Sequence, residues 1–477
     1  MRKTSPLATF FFLSASLFLI ACSKPDPPNV LIIMVDDLRP ELKSFGADYI
    51  HSPNIDALAS TGISFVNHFV NSPSCGPSRY TFLMGKYGPA GNNAIFQRAN
   101  HQSDSSHVDP SLPAWFKEHG YTTASIGKVS HHPGGMGGER WNDSNQLEMP
   151  NSWDINLMPV GEWEDPRGAM HGLAYGETRI VSSEMDVFQS LDAEDTDFPD
   201  GLISEEATSQ IQALAEAKNP FFLAVGLIRP HLPFGSPEKY MTHYENVQLP
   251  PIQHPAKPEH RSTWHGSGEF RQYNLWGKDP VTDPAFANEV RRHYAAAVSY
   301  ADAQVGKILS ALEESGEAEN TIVILWGDHG WHLGEHAIWG KHSLFDEALR
   351  SPLIIHYPRM EHPGKKSEAF VETLDLFPTL CDLAGIDIPD FIQGVSLRDN
   401  LSDPTISGHP VFGYKPNAYT LRDERHRIVL HKDGYLELYD HQSFEKETQN
   451  IADLQPILMD SLLRKLEEKI NMVETFD

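Results

Sequence analysis

Cysteine is scarce in this chain of 477 residues, which has only Cys22, Cys75 and Cys381. A disulfide framework is thereby excluded as the main source of stability, and a large buried core has to hold the fold. Basic charge is also scarce, with 38 Lys and Arg against 65 Asp and Glu, for a formal net charge of −27. That balance argues against nucleic acid and anionic membrane surfaces as partners, and it means that an anionic substrate needs a local pocket of cations. After residues 7–20 no apolar run is long enough to cross a bilayer. Internal repeats are lacking, and so is low-complexity sequence apart from one short Pro-rich stretch.

What is present begins with Arg2 and Lys3, the apolar run 7–20 and the sequence Leu19-Ile20-Ala21-Cys22. This is the pattern of a secretory leader rather than of a fold element. Small residues directly before a cysteine resemble the lipobox of bacterial lipoproteins. The resemblance implies that residues 1–21 are removed and that Cys22 carries lipid, so that the protein is exported and anchored at the periplasmic face or the cell surface. Residues 22–28, rich in proline, would then be a stiff tether. The alternative is an ordinary cleaved leader with Cys22 incidental, which also exports the chain. Cys381 lies in the apolar stretch 376–381, where a free thiol is expected to be buried as a small hydrophobe.

A single core usually holds roughly 250 to 300 residues, so a large domain over 29–385 and a smaller one over 386–477 are expected. Short apolar runs at 30–35, 121–126, 221–226, 321–326 and 353–356 read as buried parallel strands. A helix is predicted over 288–315, with Val290, Tyr294, Val298, Val305 and Leu312 on one face and Gly316 as its stop. Alternation of strand and helix implies an α/β sandwich with a mostly parallel central sheet. Residues 134–200 show little periodicity, and another irregular insertion starts at 250–255; such segments usually shape a cleft. Beyond Gly385, short strands at 414–431 and 435–439 and a helix over 454–472 suggest a smaller α+β subdomain.

Ligands of open α/β sheets gather at the carboxyl ends of strands. Run 30–35 delivers Asp36 and Asp37; run 121–126 delivers Lys128 and His131; run 221–226 is followed by Arg229 and His231; run 321–326 delivers Asp328 and His329. Singly, each has a plain reading as a helix cap, a loop charge or one of 24 histidines. Together they are carboxylates for a metal and cations for an anion.

The segment Cys75-Gly76-Pro77-Ser78-Arg79 resembles the signature of the sulfatase family. The likeness extends along nearly the whole chain after the leader and is to the iduronate-2-sulfatase branch. It is carried by Val35-Asp36-Asp37-Leu38-Arg39-Pro40, Asp328-His329-Gly330-Trp331, Leu333-Gly334-Glu335-His336, Trp339-Gly340-Lys341 and Glu437-Leu438-Tyr439. Two departures are Met84, where the extended signature usually has a small or polar residue, and Ser130, where it usually has an aromatic one.

The resemblance implies an alkaline-phosphatase-like sandwich. It also implies that Cys75 is oxidised to formylglycine (3-oxoalanine) by a formylglycine-generating or anaerobic sulfatase-maturating enzyme, and that Ca2+ is held by Asp36, Asp37, modified Cys75, Asp328 and His329. By the same resemblance a diol oxygen at position 75 attacks sulfur and a sulfate hemiacetal follows. Arg79 and His131 would orient the diol, Lys128 and Lys341 hold the sulfate, and His231 protonate the leaving alcohol. Spacing favours His131 over His132, which the sequence alone leaves open. The implied substrate is a sulfated polysaccharide or its oligosaccharides, with an ester like a uronate 2-O-sulfate; glycosaminoglycans and algal polysaccharides such as ulvan both fit. Arg39 reads either as part of a loop facing the substrate carboxylate or as an ion-pair partner. The rival readings are a formylglycine-dependent phosphonate or phosphate ester hydrolase and an inactive glycan-binding lipoprotein.

Overall fold

The structure is a computed structural model that describes residues 27–104, 108–179 and 181–475. The expected leader and Cys22 lie outside the described residues. Eight strands form the central sheet, in the order Lys366–Glu372, Ile63–Phe69, Leu353–His356, Thr321–Gly327, Asn29–Val35, Phe221–Leu227, Thr122–Gly127 and Ile155–Leu157. The five apolar runs read from the sequence thus lie side by side in it. In Asn29–Val35, Phe221–Leu227 and Thr321–Gly327 every residue is buried, because the sheet is covered on both faces.

Alternate side chains of one strand feed two separate cores. Leu31, Ile33 and Val35 pack with the helices Pro53–Thr61, Pro199–Ala217 and Pro284–Glu314. Val30, Ile32 and Met34 pack with Cys75–Met84, Leu112–Glu118 and Leu376–Ala384, where Cys381 is fully buried as expected. The long helix starts at Pro284, whose missing N–H is no loss there, behind Asp283, which accepts hydrogen bonds from the Ala285 and Phe286 N–H groups. It ends at Glu314, and Gly316 follows with φ +80°, the expected stop.

Leu353–His356 corrects the sequence reading, since it runs antiparallel to both neighbours. A parallel return needs a crossover of a dozen or more residues, usually a helix. Here the connection over 328–352 contains only short elements, Asp346–Leu349 being its one α-helix. The chain therefore re-enters the sheet from the end at which it left. Residues 134–200, expected to be irregular, contain the edge strand Ile155–Leu157, a hairpin of Met136–Gly137 with Asp143–Leu147, and Phe188–Leu191 paired with Phe234–Pro237.

The C-terminal part is an antiparallel sheet of Val411–Lys415, Ala418–Arg422, His426–His431 and Leu436–Asp440, with the helix Pro456–Ile470. Met459, Leu462 and Leu466 of that helix bury one sheet face, with Phe412, Leu421, Ile428 and Leu438. Val411, Val429 and Tyr439 on the other face pack on Phe345 and Leu349 from the 328–352 connection.

Candidate active site

Two neighbouring parallel strands set the centre of the site. Val35 pairs with Gly327, so the residues that follow them, Asp36 with Asp37 and Asp328 with His329, emerge side by side. The Asp37 N–H donates to Asp328 Oδ1 (3.0 Å), and the Tyr294 hydroxyl donates to the Asp37 carbonyl (2.9 Å). Asp37 has φ +57°, a left-handed conformation that aspartate tolerates better than most residues. On the other side, a Cβ on Gly226 would lie 1.8 Å from the Lys128 carbonyl oxygen. Only glycine lets the Lys128 backbone turn in so closely.

The helix Cys75–Met84 supplies the rest. Cys75 opens it, and Arg79 lies one turn later on the same face. A Cβ on Gly76 would meet the Asn92 backbone at 2.4 Å, so a glycine in the signature segment lets the following chain cross the start of the helix. Arg79 is fully buried. Its Nε donates to Asp328 Oδ2 (2.9 Å), Nη2 to Asp36 Oδ1 (3.3 Å) and Nη1 to the carbonyls of Lys128 and Val129. Lys128 donates to Asp36 Oδ2, and Lys341 donates to Asp37 Oδ1 (2.8 Å) and Cys75 Sγ (3.3 Å). Three carboxylates thus meet three cations around one sulfur.

Burial raises all three carboxyls, but their neighbours separate them. At Asp36 it is outweighed by Lys128, then His231 and Arg79, which hold the group well below the usual range. At Asp37 burial prevails over Lys341 and His329, and the group stays well above it. Asp328 is raised by burial and then by the Asp36 charge. Burial, and after it Asp36, pushes the Cys75 thiol up to about 12. An unmodified Cys75 is therefore an inert thiol at neutral pH.

A cation fits this cluster. Ligand atoms of Asp36, Cys75, Asp328 and His329 all lie within 4.8 Å of one another. Asp37 Oδ2 is buried with no hydrogen-bond partner. His329 Nδ1 meets the Gly330 carbonyl (3.0 Å) and as N–H donates to it, so in the neutral ring the Nε2 lone pair faces Asp37 Oδ1 (3.2 Å) and Cys75 Sγ (3.3 Å). Lys341 is engaged with Asp37 Oδ1, so Asp37 Oδ2 remains open beside the other ligand atoms, and the oxygen-rich set suits a hard cation such as Ca2+.

The remaining sequence candidates surround this point. His231 Nδ1 donates to the Leu232 carbonyl (2.6 Å), leaving Nε2 3.6 Å from Glu269 Oε1. Burial, then Lys341, holds His231 well below its usual range. His131 Nδ1 is buried without a partner, and burial, then Lys128, keeps the ring neutral. His132 is instead bound to Glu148 through Nδ1 (2.8 Å). Arg39 donates to Glu335 (2.9 and 3.3 Å) and to the Trp331 carbonyl (3.0 Å), a partly buried ion pair rather than one on the surface. Met84 packs in the core and Ser130 donates to the His132 carbonyl (3.2 Å), so both departures are accommodated.

Sequence reasoning missed Glu269, which lies 3.7 Å from Lys341 Nζ as well as beside His231. It missed also Trp141 and His171, whose rings are 6.1 Å apart, the latter 5.8 Å from the His231 ring. All three come from the two irregular insertions. The only signal for Glu269 was a carboxylate after the turn-forming Gly266-Ser267-Gly268.

Residues 28–386 match the Sulfatase family, and residues 334–475 match the family described as N-sulphoglucosamine sulphohydrolase, C-terminal. Iduronate 2-sulfatase of Homo sapiens is 31% identical over 443 residues, covering 82% of this chain and 78% of the human protein. A sulfatase of Formosa agariphila is 29% identical over 495 residues, covering 94% of this chain and 89% of its own. Among solved structures, the phosphonate monoester hydrolase of Agrobacterium radiobacter superposes with a TM-score of 0.73 at 22% identity, covering 93% of this chain and 95% of the other. That last likeness is one of fold.

Proposed function

This chain belongs to the sulfatase family and is a sulfuric ester hydrolase, and from that premise we propose that it desulfates a sulfated polysaccharide or its oligosaccharides. The ester would be one like a uronate 2-O-sulfate, in a glycosaminoglycan or an algal polysaccharide such as ulvan. The observation that carries the reading is the gathering of Arg79, Lys128 and Lys341 around Cys75, with Lys341 Nζ 3.3 Å from its sulfur, inside an otherwise acidic protein. The position of the ester rests on the 31% identity to a protein named iduronate 2-sulfatase.

Formylglycine at position 75 supplies a hydrated aldehyde as nucleophile, and bound Ca2+ supplies a Lewis acid for the sulfate. Asp36, Asp37, Asp328 and His329 would hold the ion. Lys128 and Lys341 take sulfate oxygens and stabilise the charge that develops on them. Arg79, tied to Asp36 and Asp328, keeps both carboxylates aimed and, with His131, orients the nucleophile. His231, with Nδ1–H fixed on a carbonyl, presents Nε2 to the leaving alcohol and gives it a proton. Burial and, after it, Lys341 disfavour the charged His231 ring; a bound sulfate would offset the Lys341 part, and Glu269 would stabilise the imidazolium. Maturation falls to a formylglycine-generating or anaerobic sulfatase-maturating enzyme, and export with a lipid on Cys22 would bring the enzyme to polymer outside the cell.

Mass spectrometry of the Cys75 peptide from a host with a maturing enzyme, paired with sulfate release from defined sulfated oligosaccharides and with a phosphonate monoester in parallel, tests this reading. Aldehyde with sulfate release from a sugar is the expected result. Unmodified Cys75 in active protein would overturn the nucleophile. Turnover of the phosphonate monoester in preference to every sulfated sugar would overturn the substrate.

A further inference from the structure

In a chain with 65 acidic residues, some arginines still make no ion pair among the described residues, Arg229 and Arg350 donating instead to backbone carbonyls. Arg179, beside the active site, is another. Its Nη1 donates to the Tyr273 hydroxyl (3.0 Å) and Nη2 to Gln272 Oε1 (3.0 Å), and its guanidinium carbon lies 5.0 Å from the centre of the Tyr273 ring. Among the described residues it makes no ion pair, whereas Arg39, Arg79 and Arg427 are all matched to carboxylates. Neutral partners thus fix the fork without spending its charge.

Its place in the fold ties it to the reaction centre. Tyr273 closes the one-turn helix Phe270–Gln272, and the residue before that helix is Glu269, which touches His231 and Lys341. At about 2 Å per residue, Arg179 docks on the order of 8 Å further along, the scale of a sugar ring and its neighbour. His171 lies between: its ring neighbours His231, and after burial the Arg179 charge is the largest influence that lowers it, to about 3. Glu269 makes no contact with Arg179 among the ion pairs of the described residues and lies instead 3.7 Å from Lys341 Nζ and 3.6 Å from His231 Nε2.

We propose that Arg179 is a specificity-determining residue that receives a second anionic group of the substrate, a carboxylate or a further sulfate on the sugar bearing the ester or on the adjacent one. The inference rests on the reading of the enzyme as a glycan sulfatase. An arginine already ordered by Tyr273 and Gln272 loses little further freedom on binding and can grip a planar anion with two parallel hydrogen bonds.

The test compares Arg179→Ala and Arg179→Lys with the wild-type enzyme, all matured. The substrates are a sulfated uronate disaccharide, its carboxyl-reduced form, the form lacking every other sulfate, and 4-nitrophenyl sulfate. R179A should lower kcat/KM for the disaccharide about 10- to 100-fold more than for 4-nitrophenyl sulfate, chiefly through KM, with R179K in between. If the carboxyl-reduced sugar is the substrate insensitive to the change, the ligand is the carboxylate; if the form lacking other sulfates is insensitive, it is a sulfate. Equal losses on all four, or none on the disaccharide, would overturn the proposal. Wild-type enzyme that cleaves 4-nitrophenyl sulfate and no sulfated saccharide would instead remove the glycan reading, and this inference with it.

Discussion

Two clusters of acid and base among the described residues, one buried and one partly buried, differ in what fills their middle. At the ends of the central strands, Asp36, Asp37 and Asp328 have cations around them, yet Asp37 Oδ2 is left with no hydrogen-bond partner, and His329 Nε2 lies 3.2 Å from the other oxygen, Oδ1. Where the 328–352 connection meets the C-terminal sheet, Asp346, His441 and Glu447 also bring ligand atoms within 4.8 Å of one another. There, however, Arg427 reaches in from the sheet, its Nη2 on Asp346 and its Nε 2.6 Å from Glu447 Oε1. A guanidinium in the second cluster stands where an ion would have to be. Proximity of carboxylates and histidines therefore does not by itself mark a metal site. What marks the first cluster is Asp37 Oδ2, a buried oxygen with neither a hydrogen bond nor an ion pair among the described residues, whereas Glu447 Oε1, which also lacks a hydrogen bond, lies 2.6 Å from Arg427 Nε.

The strongest way to break this contrast is to remove the unsatisfied group. Asp37→Ala should lower kcat/KM by about 10³-fold or more, several kcal/mol of transition-state stabilisation. Chelation of the wild-type enzyme should abolish turnover and added Ca2+ restore it. A D37A enzyme that keeps its rate, or a wild-type enzyme indifferent to chelators, would place the two clusters in one class.

Arg427→Met should show the reverse pattern. Leaving Asp346 and Glu447 buried without their cation should lower stability by about 3–5 kcal/mol, read as a lower denaturation midpoint, while the folded fraction keeps its kcat. Adding Asp346→Asn and Glu447→Gln should recover part of the loss. A loss of kcat at full stability would show that this cluster, too, is part of the machinery.

The smallest effect concerns a third ion pair, His409 on Asp375 (2.9 Å), where the main sheet meets the C-terminal part. Burial disfavours the charged ring, but the hydrogen bond and charge of Asp375, with Glu372, lift His409 to about 9. A raised histidine contributes its full stability below its free value of about 6.5, and the contribution fades as pH rises through 9. Between those limits the wild-type Tm should fall more than that of His409→Gln, by on the order of 1–2 °C. Parallel Tm curves for the two proteins would show that the pair contributes nothing.

The same contrast between saturated and open groups explains what could be read in the sequence. The runs 30–35, 221–226 and 321–326 are apolar on both faces because both faces are covered, and the residues after them deliver most of the site. Ile63–Phe69 and Lys366–Glu372 escaped because they mix polar with apolar residues, His68, Asn67 and Glu368 among them. The direction of Leu353–His356 depends on how the chain before it turns, which its own four residues do not encode. Arg179, Trp141, His171 and Glu269 stand in segments without periodicity. Residues 185–187 and 274 hold the two insertions together by backbone hydrogen bonds, through pairings such as Asn274 N–H to Met185 O (2.9 Å). A contact of that kind has no local sequence signal.

The return of Leu353–His356 has one more consequence. Because the chain leaves and re-enters the sheet at one end, a single excursion carries Asp328, His329 and Lys341 at its start and Asp346 near its close. One face of the C-terminal sheet rests on Phe345 and Leu349 of that excursion, and Arg427 holds its aspartate. The last fifth of the protein is thus not a severable module. Cutting the chain after the helix that ends at Ala384 would strip the cover from the same loop that presents the reacting groups, so a shortened protein should lose activity and solubility together.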